Sequence, residues 1–126
     1  MTIAAADMVA EAKGRVENLS PSEFHADASR GALVVDIREP HEVEASGKIP
    51  GAVMAPRGML EFWADPSSPY HRLEFLPTQR TLVYCASGGR SALAADTLRT
   101  MGYDAVAHLD GGITAWTDTG HEVAPA

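Results

Sequence analysis

The chain is poor in cysteine, because Cys85 is the only one among 126 residues. A single cysteine excludes an intramolecular disulfide, and a lone thiol is compatible with reactive chemistry in a reducing cytosol. The simpler alternative is a buried cysteine with no chemical role. We expect a cytoplasmic protein, and the residues around Cys85 have to decide between these two roles.

Positive charge is also scarce, since 10 Lys and Arg residues stand against 17 Asp and Glu residues and the net charge is -7. An acidic domain repels nucleic-acid phosphates and anionic lipid, so neither nucleic acid nor a membrane is an expected partner. The apolar stretches are far shorter than a membrane span. The first residues carry early acids and no basic stretch before an apolar run, so we expect no secretory signal.

Metal and nucleotide motifs are missing from the sequence. The histidines do not pair with one another or with Cys85 at the spacing of metal ligands; they are His25, His41, His71, His108 and His121. Neither G-x-G-x-x-G nor G-x-x-x-x-G-K-[ST] occurs, so nucleotide binding has no signature. We therefore expect neither a metal site nor an organic cofactor.

The sequence does contain enough apolar residues, 45%, for the core of one domain. Residues 5–16 are typical of a leading helix, and Ser20-Pro21-Ser22-Glu23 is a capping box that begins a second helix. Residues 32–37 form a near-continuous apolar run, the pattern of a strand buried on both faces.

Further elements alternate along the chain. We predict strands at residues 52–54, 81–84 and 105–109, and helices at 91–101 and from 113. Strands that alternate with helices indicate an α/β fold with a mostly parallel central sheet and helices on both faces. Ligands of such sheets bind where strands end, and Cys85 directly follows the strand at 81–84.

The residues after Cys85 favour chemistry at its sulfur. They read Cys85-Ala86-Ser87-Gly88-Gly89-Arg90-Ser91. The helix that follows directs unpaired N–H groups toward this loop, and the two glycines allow successive N–H groups to point inward as an anion-binding nest. Arg90 adds a positive charge. Together these features are expected to favour the Cys85 thiolate and to stabilise a bound anion.

The same seven residues resemble the active-site loop of rhodanese sulfurtransferases. Three more segments resemble signatures of that family and occur in its order, at residues 35–42, 48–52 and 109–116. The resemblance covers residues 20–123, nearly the whole chain. It implies a rhodanese-like fold, with a rhodanese domain at 20–126 preceded by an N-terminal helical extension at 1–19.

The resemblance also implies a mechanism. Cys85 takes sulfur from a small sulfane-sulfur donor and becomes a persulfide, and a thiophilic acceptor such as cyanide, a thiol or a partner protein then removes the outer sulfur. Cys85 and Arg90 are the implied catalytic residues, and no cofactor takes part. The implied substrate-binding residues are Ala86, Ser87, Gly88, Gly89 and Ser91. Since Ala86 and Ser87 are uncharged, thiosulfate is in doubt as the natural donor.

Other residues have weaker assignments. Asp36 and Arg38 could brace the catalytic loop, although an ion pair that supports the fold is the interpretation we favour. Residues 59–76 form a long connection rich in aromatics, and Trp63, Tyr70 and His71 could line the mouth of the site. A packing excursion that covers a sheet edge explains this connection equally well.

Two other functions compete with an active sulfurtransferase. A cysteine phosphatase or arsenate reductase uses a similar strand, loop and helix, but cysteine phosphatases place five residues between cysteine and arginine. Four residues separate Cys85 from Arg90, and a smaller cradle suits a sulfur atom better than a phosphate. The second alternative is a persulfide-relay or regulatory interaction module with little turnover.

Overall fold

Five strands and six α-helices follow one another along residues 1–126, all of which the computed structural model describes. The strands are β1 (Glu17–Leu19), β2 (Leu33–Asp36), β3 (Val53–Met54), β4 (Thr81–Tyr84) and β5 (Val106–Leu109). The helices are α1 (Ala5–Arg15), α2 (Pro21–Ser29), α3 (Pro40–Ser46), α4 (Leu60–Ala64), α5 (Gly89–Thr100) and α6 (Gly112–Asp118), with a 3-10 turn at Arg57–Met59.

The strands form one parallel sheet in the order β1-β5-β4-β2-β3, which makes β4 the central strand. Successive residues of β4 point to opposite faces, so Leu82 joins the apolar cluster beneath α2 and α6, and Val83 joins the cluster beneath α4 and α5. The predicted α/β fold, with a parallel sheet covered by helices on both faces, is confirmed. No helix combines the length and the apolar character that crossing a membrane requires.

Strand β1 was not predicted. It has three residues, two of them exposed, so no run of apolar residues signals it. It pairs with β5 at the edge of the sheet, while α1 packs on α5. The stretch 1–19, expected to be a helical extension, therefore also contributes a strand to the sheet. The division of the chain at residue 20 stays a prediction.

Helix α3 was also missed, although its sequence carries a start signal. Glu39 precedes the helix, Pro40 occupies its first position, and the Glu42 side chain accepts a hydrogen bond from the Glu39 N–H at 2.9 Å. The Ser20–Glu23 capping box at the start of α2 was predicted and is confirmed. Glu23 of α2 and Glu42 of α3 both lie in the first turns of their helices, where the macrodipole favours negative charge.

A buried ion pair connects the end of β2 to the end of α3. Arg38 donates to both carboxylate oxygens of Asp36, at 2.7 Å for the shortest bond, and also to Ser46 Oγ and the Gly47 carbonyl, each at 2.7 Å. Both charged residues are at most 1% exposed. Because all of these contacts hold elements of the fold together, they favour the interpretation of Asp36 and Arg38 as a structural pair.

We predict that Arg38→Gln lowers the free energy of unfolding by about 3–5 kcal/mol, because the substitution leaves the buried Asp36 carboxylate without its partner. The matched control is Arg15→Gln, which breaks the ion pair with Asp96 where the Arg15 side chain is 48% exposed. That loss should be much smaller, because solvent screens an ion pair at an exposed arginine. Equal losses in denaturant unfolding of the two variants would contradict the structural role of the buried pair.

Candidate active site

Cys85 lies directly after the central strand β4, and its side chain is enclosed by the start of α5. The residue is 1% exposed. Its Sγ accepts hydrogen bonds from the backbone N–H groups of Gly88, at 3.2 Å, and Ser91, at 3.3 Å. Gly88 precedes α5 with φ of 110°, a left-handed conformation that other residues rarely adopt. A negative sulfur at this position would be stabilised by both N–H groups and by the helix dipole.

Two carbonyls at the start of the loop point toward α6. The Cys85 carbonyl accepts from the Ile113 N–H at 2.9 Å, and the Ala86 carbonyl accepts from the Thr114 N–H at 3.1 Å. Gly112 makes this approach possible, because a Cβ on it would lie 2.3 Å from the Ala86 oxygen. The segment at 109–116 thus holds the first residues of the loop in place through hydrogen bonds from α6.

Arg90 does not hydrogen-bond to the sulfur. Its two terminal nitrogens bind the two carboxylate oxygens of Glu42 in α3, at 2.8 and 2.9 Å. The Arg90 hydrogen bond is the largest cause that lowers the pKa of Glu42 from 4.5 to about 2. Arg90 therefore contributes charge from the edge of the site, where Glu42 partly offsets it, and its expected role as a direct anion contact stays a prediction.

The other loop residues differ in exposure. Ser87 is exposed, Ala86 and Gly89 are partly buried, and Ser91 is fully buried. The Ser91 hydroxyl lies 3.5 Å from Cys85 Sγ and 2.9 Å from Nδ1 of His108. The spacing of His108 in the sequence excluded a metal-ligand role and indicated no other role. A signal was present, because a histidine inside a fully buried strand needs hydrogen-bond partners.

The residues proposed for the mouth contact other parts of their own connection. The Arg72 guanidinium lies 4.4 Å from the centre of the Trp63 ring, and His71 Nε2 lies 2.9 Å from the Phe75 carbonyl oxygen. Tyr70 is 62% exposed. Trp63 is partly buried and packs against the apolar cluster that includes Cys85. These contacts favour packing for Trp63, and a role of the three residues at the mouth stays a prediction.

Asp36 and Arg38 reach the site only indirectly, through Tyr84 of β4. The Arg38 guanidinium lies 5.8 Å from the centre of the Tyr84 ring, and the Tyr84 hydroxyl accepts from the Ile49 N–H at 3.0 Å. Tyr84 is the residue before Cys85, so the buried ion pair supports the strand that carries the nucleophile. Neither member of the pair hydrogen-bonds to the loop.

The structure has two surface cavities, and neither is lined by the Cys85 loop. One, of about 250 Å³, lies beside Trp116 and His121, and the other, of about 270 Å³, lies between α1 and α5. The sulfur is instead enclosed by its own loop. Any compound that reacts with it must therefore present a small reactive atom to the loop.

The chain is similar to proteins of one family over most of its length. The sequence model described as Rhodanese-like domain matches residues 20–119. Thiosulfate sulfurtransferase GlpE from Stutzerimonas stutzeri is 32% identical over 103 residues, which cover 82% of this chain and 86% of that protein. The probable adenylyltransferase/sulfurtransferase MoeZ from Mycobacterium tuberculosis is 32% identical over 90% of this chain, which spans only 27% of MoeZ.

A solved structure from Rhodopseudomonas palustris is similar over almost the entire chain. It shares 42% identity and a TM-score of 0.92, and the match covers 98% of this chain and 96% of that chain. That protein is described as one of unknown function and a possible tyrosine phosphatase. The similarity confirms the fold, and the two descriptions of activity have to be compared at the site itself.

We predict that Gly112→Ala is more destabilising than Gly120→Ala. Both glycines have positive φ, at 62° and 85°, so each alanine adds backbone strain of about 1–2 kcal/mol. Only at Gly112 does the added Cβ also meet the Ala86 carbonyl, which should add about 1–3 kcal/mol. Denaturant unfolding measures both, and equal losses would contradict the close approach of α6 to the loop.

We predict that Glu42→Gln lowers stability at neutral pH and flattens its acid dependence. Folding lowers the pKa of Glu42 from 4.5 to about 2. The Glu42 carboxylate therefore stabilises the folded state in full above pH 4.5, and this stabilisation is lost as the pH falls toward about 2. The Arg90 side chain is 42% exposed, so solvent limits the loss to about 1 kcal/mol. Thermal unfolding curves of the two proteins should converge near pH 2, and a constant difference across this range would contradict the assignment.

Proposed function

The chain belongs to the rhodanese-like domain family, and from this premise we propose that it is a sulfurtransferase that carries sulfane sulfur as a persulfide on Cys85. The observation that carries the proposal is the pair of hydrogen bonds from the Gly88 and Ser91 N–H groups to Cys85 Sγ. Oriented N–H donors at a helix N-terminus stabilise a thiolate before the reaction and a negative persulfide after it.

The reaction has two substitution steps at sulfur. The Cys85 thiolate attacks the sulfane sulfur of a small donor, an S–S bond forms, and the rest of the donor leaves with the electron pair of the broken bond. A thiophilic acceptor then attacks the outer sulfur and releases the Cys85 thiolate. Cyanide, a thiol or a thiol of a partner protein can each serve as the acceptor, and no electron carrier is needed.

The charge of the loop bears on the donor. GlpE is named for thiosulfate, and similarity to it supports a sulfane-sulfur donor for this chain. However, Ala86 and Ser87 carry no charge, and Glu42 takes both terminal nitrogens of Arg90. A doubly negative donor such as thiosulfate gains little from such a loop, so a small organic persulfide, whose persulfide group carries at most one negative charge, fits the site better.

A relay to one protein partner is the nearest alternative within the family. MoeZ is named for both an adenylyltransferase and a sulfurtransferase activity, and this chain matches only 27% of it. A rhodanese-like domain therefore also occurs as a part of a larger enzyme. If the present chain passes sulfur to a single protein, small acceptors will react slowly with the loaded form.

A phosphatase is the second candidate, because the similar protein from Rhodopseudomonas palustris is described as a possible tyrosine phosphatase. Two features oppose this function. Only four residues separate Cys85 from Arg90, and the Arg90 guanidinium is directed to Glu42 instead of the interior of the loop. The several negative oxygens of a phosphoryl group need positively charged hydrogen-bond donors around them. The single outer sulfur of a persulfide needs only the N–H donors near Sγ.

We predict that incubation with a polysulfide adds the mass of one sulfur atom to the protein and that cyanide then removes it. Intact-mass spectrometry measures both steps. Cys85→Ser is the matched control, since it retains the loop and its N–H groups but lacks the nucleophilic sulfur. Equal loading of this variant would contradict the proposed site.

The unmodified protein and Cys85→Ser also distinguish a sulfurtransferase from a phosphatase. Aryl phosphate hydrolysis should be negligible beside sulfur transfer under identical conditions. Strong hydrolysis by the unmodified protein, lost in Cys85→Ser, would favour the phosphatase and overturn the proposed function.

A further inference from the structure

A series of hydrogen bonds extends from the buried Cys85 to the exposed Asn18 at the edge of the sheet. The Ser91 hydroxyl lies 3.5 Å from Cys85 Sγ and 2.9 Å from Nδ1 of His108 in β5. On the other side of the ring, His108 Nε2 lies 2.6 Å from Oδ1 of Asn18 in β1. Cys85, Ser91 and His108 are each at most 1% exposed. The two substitution steps of sulfur transfer involve only Cys85, the donor and the acceptor, and give Ser91 and His108 no role in moving protons.

Asn18 fixes which nitrogen of His108 carries hydrogen. Its amide nitrogen donates to the carbonyls of Lys13 and Val16, at 2.9 and 3.0 Å, so its oxygen is the atom that faces the ring. A carbonyl oxygen can only accept, and Nε2 must therefore be the donor. Burial lowers the pKa of His108 to about 4, so at neutral pH the ring is uncharged and Nδ1 has a free lone pair.

The Ser91 hydroxyl then has a defined direction. Its hydrogen has three nearby acceptors, of which His108 Nδ1 at 2.9 Å is closer than the Gly88 carbonyl at 3.3 Å or Cys85 Sγ. With the hydrogen on the His108 side, an oxygen lone pair of Ser91 faces Sγ. The thiol hydrogen can therefore point to Ser91, and the donors run in one direction from sulfur to imidazole.

We propose that Ser91 and His108 form a proton path that takes the thiol proton of Cys85 and thereby produces the thiolate that attacks. In this step the S–H bond breaks and its electron pair stays on sulfur, while the proton forms a new O–H bond on Ser91. The original O–H bond of Ser91 breaks as its proton forms an N–H bond at His108 Nδ1. Ser91 touches the reacting atom, whereas His108 acts through Ser91 as a positioning and proton-accepting residue.

The path preserves every hydrogen bond of the series. After the transfer, Ser91 donates to the negative sulfur, and the imidazolium donates from Nδ1 to Ser91 and from Nε2 to Asn18. The net charge of the buried series stays unchanged. If solvent took the proton instead, a buried negative charge would remain, and the single hydrogen of Ser91 would have to serve both Sγ and Nδ1.

The charged groups around the series balance one another. Asp110 follows β5 and Lys13 lies in α1, and they form an ion pair at 3.4 Å that acts on His108 with opposite signs. On the sulfur side, Arg90 is paired with Glu42. Because each positive group has a negative partner, the titration of His108 itself should set the acid limit of the path.

The inference rests on the proposed role of Cys85, and a pH profile tests it. The rate at which iodoacetamide alkylates the full chain is measured against pH, and the single cysteine makes the signal unambiguous. With the proton path, the rate should be nearly constant from neutral pH down to about pH 5 and should fall where His108 becomes protonated. A thiol that loses its proton only to solvent instead loses about tenfold in rate for each pH unit below its pKa.

Four variants, one of them a control, make the profile decisive. His108→Gln and Ser91→Ala should each replace the flat region with the tenfold slope, and the double variant should be no worse than either single one. Ser91→Ala keeps the test valid if His108→Gln does not fold. Tyr103→Phe, the matched control, loses one buried hydrogen bond to the Ala64 carbonyl and should retain the flat profile.

Two results would overturn the proton path: a flat profile in folded Ser91→Ala or His108→Gln, and a tenfold slope in the unmodified protein. Nitrogen NMR of the histidine rings adds a direct check, since Nδ1 of His108 must be unprotonated at neutral pH. Alkylation is independent of sulfur transfer. A flat profile in a protein that accepts no sulfur from polysulfide therefore supports the path and contradicts the proposed function.

Discussion

The direction of the peptide groups after Cys85 is the constraint on which the site depends. The carbonyls of Cys85 and Ala86 bind N–H groups of α6, and the N–H groups of Gly88 and Ser91 bind Sγ. If these peptides were reversed, carbonyl oxygens would face the sulfur and oppose its negative charge. The hydrogen bonds to α6 therefore keep the Cys85 and Ala86 carbonyls away from the sulfur, while the Gly88 and Ser91 N–H groups face it.

The rest of the fold brings these two helices to one edge of the sheet. Parallel pairing of β4 and β5 makes both strands end at the same edge, so α5 and α6 begin side by side. Buried contacts then fix that edge, with the Asp36–Arg38 pair below Tyr84 and Gly112 against Ala86. Apolar packing is not directional and would allow other orientations of the loop peptides, whereas these specific contacts stabilise one orientation.

The parts that the sequence predicts well are those that local residues determine. The strand before Cys85, the loop and the following helix depend on an apolar run, two glycines and a helix start within about a dozen residues. Contacts between distant segments were not predictable in this way. Arg90 meets Glu42 across 48 residues, and His108 meets Asn18 across 90, so only the folded chain shows that these side chains are partners. Strand β1 was missed for the same reason, since it depends on pairing with β5.

The central claim is that Cys85 holds the transferred sulfur inside its loop. A crystal structure of the protein after exposure to polysulfide tests this claim most directly. We predict electron density for one additional sulfur bonded to Sγ, within hydrogen-bond distance of loop N–H groups, and an otherwise unchanged loop. A fully occupied, unmodified Cys85 in protein that has gained sulfur, or additional sulfur outside the loop, would contradict the claim.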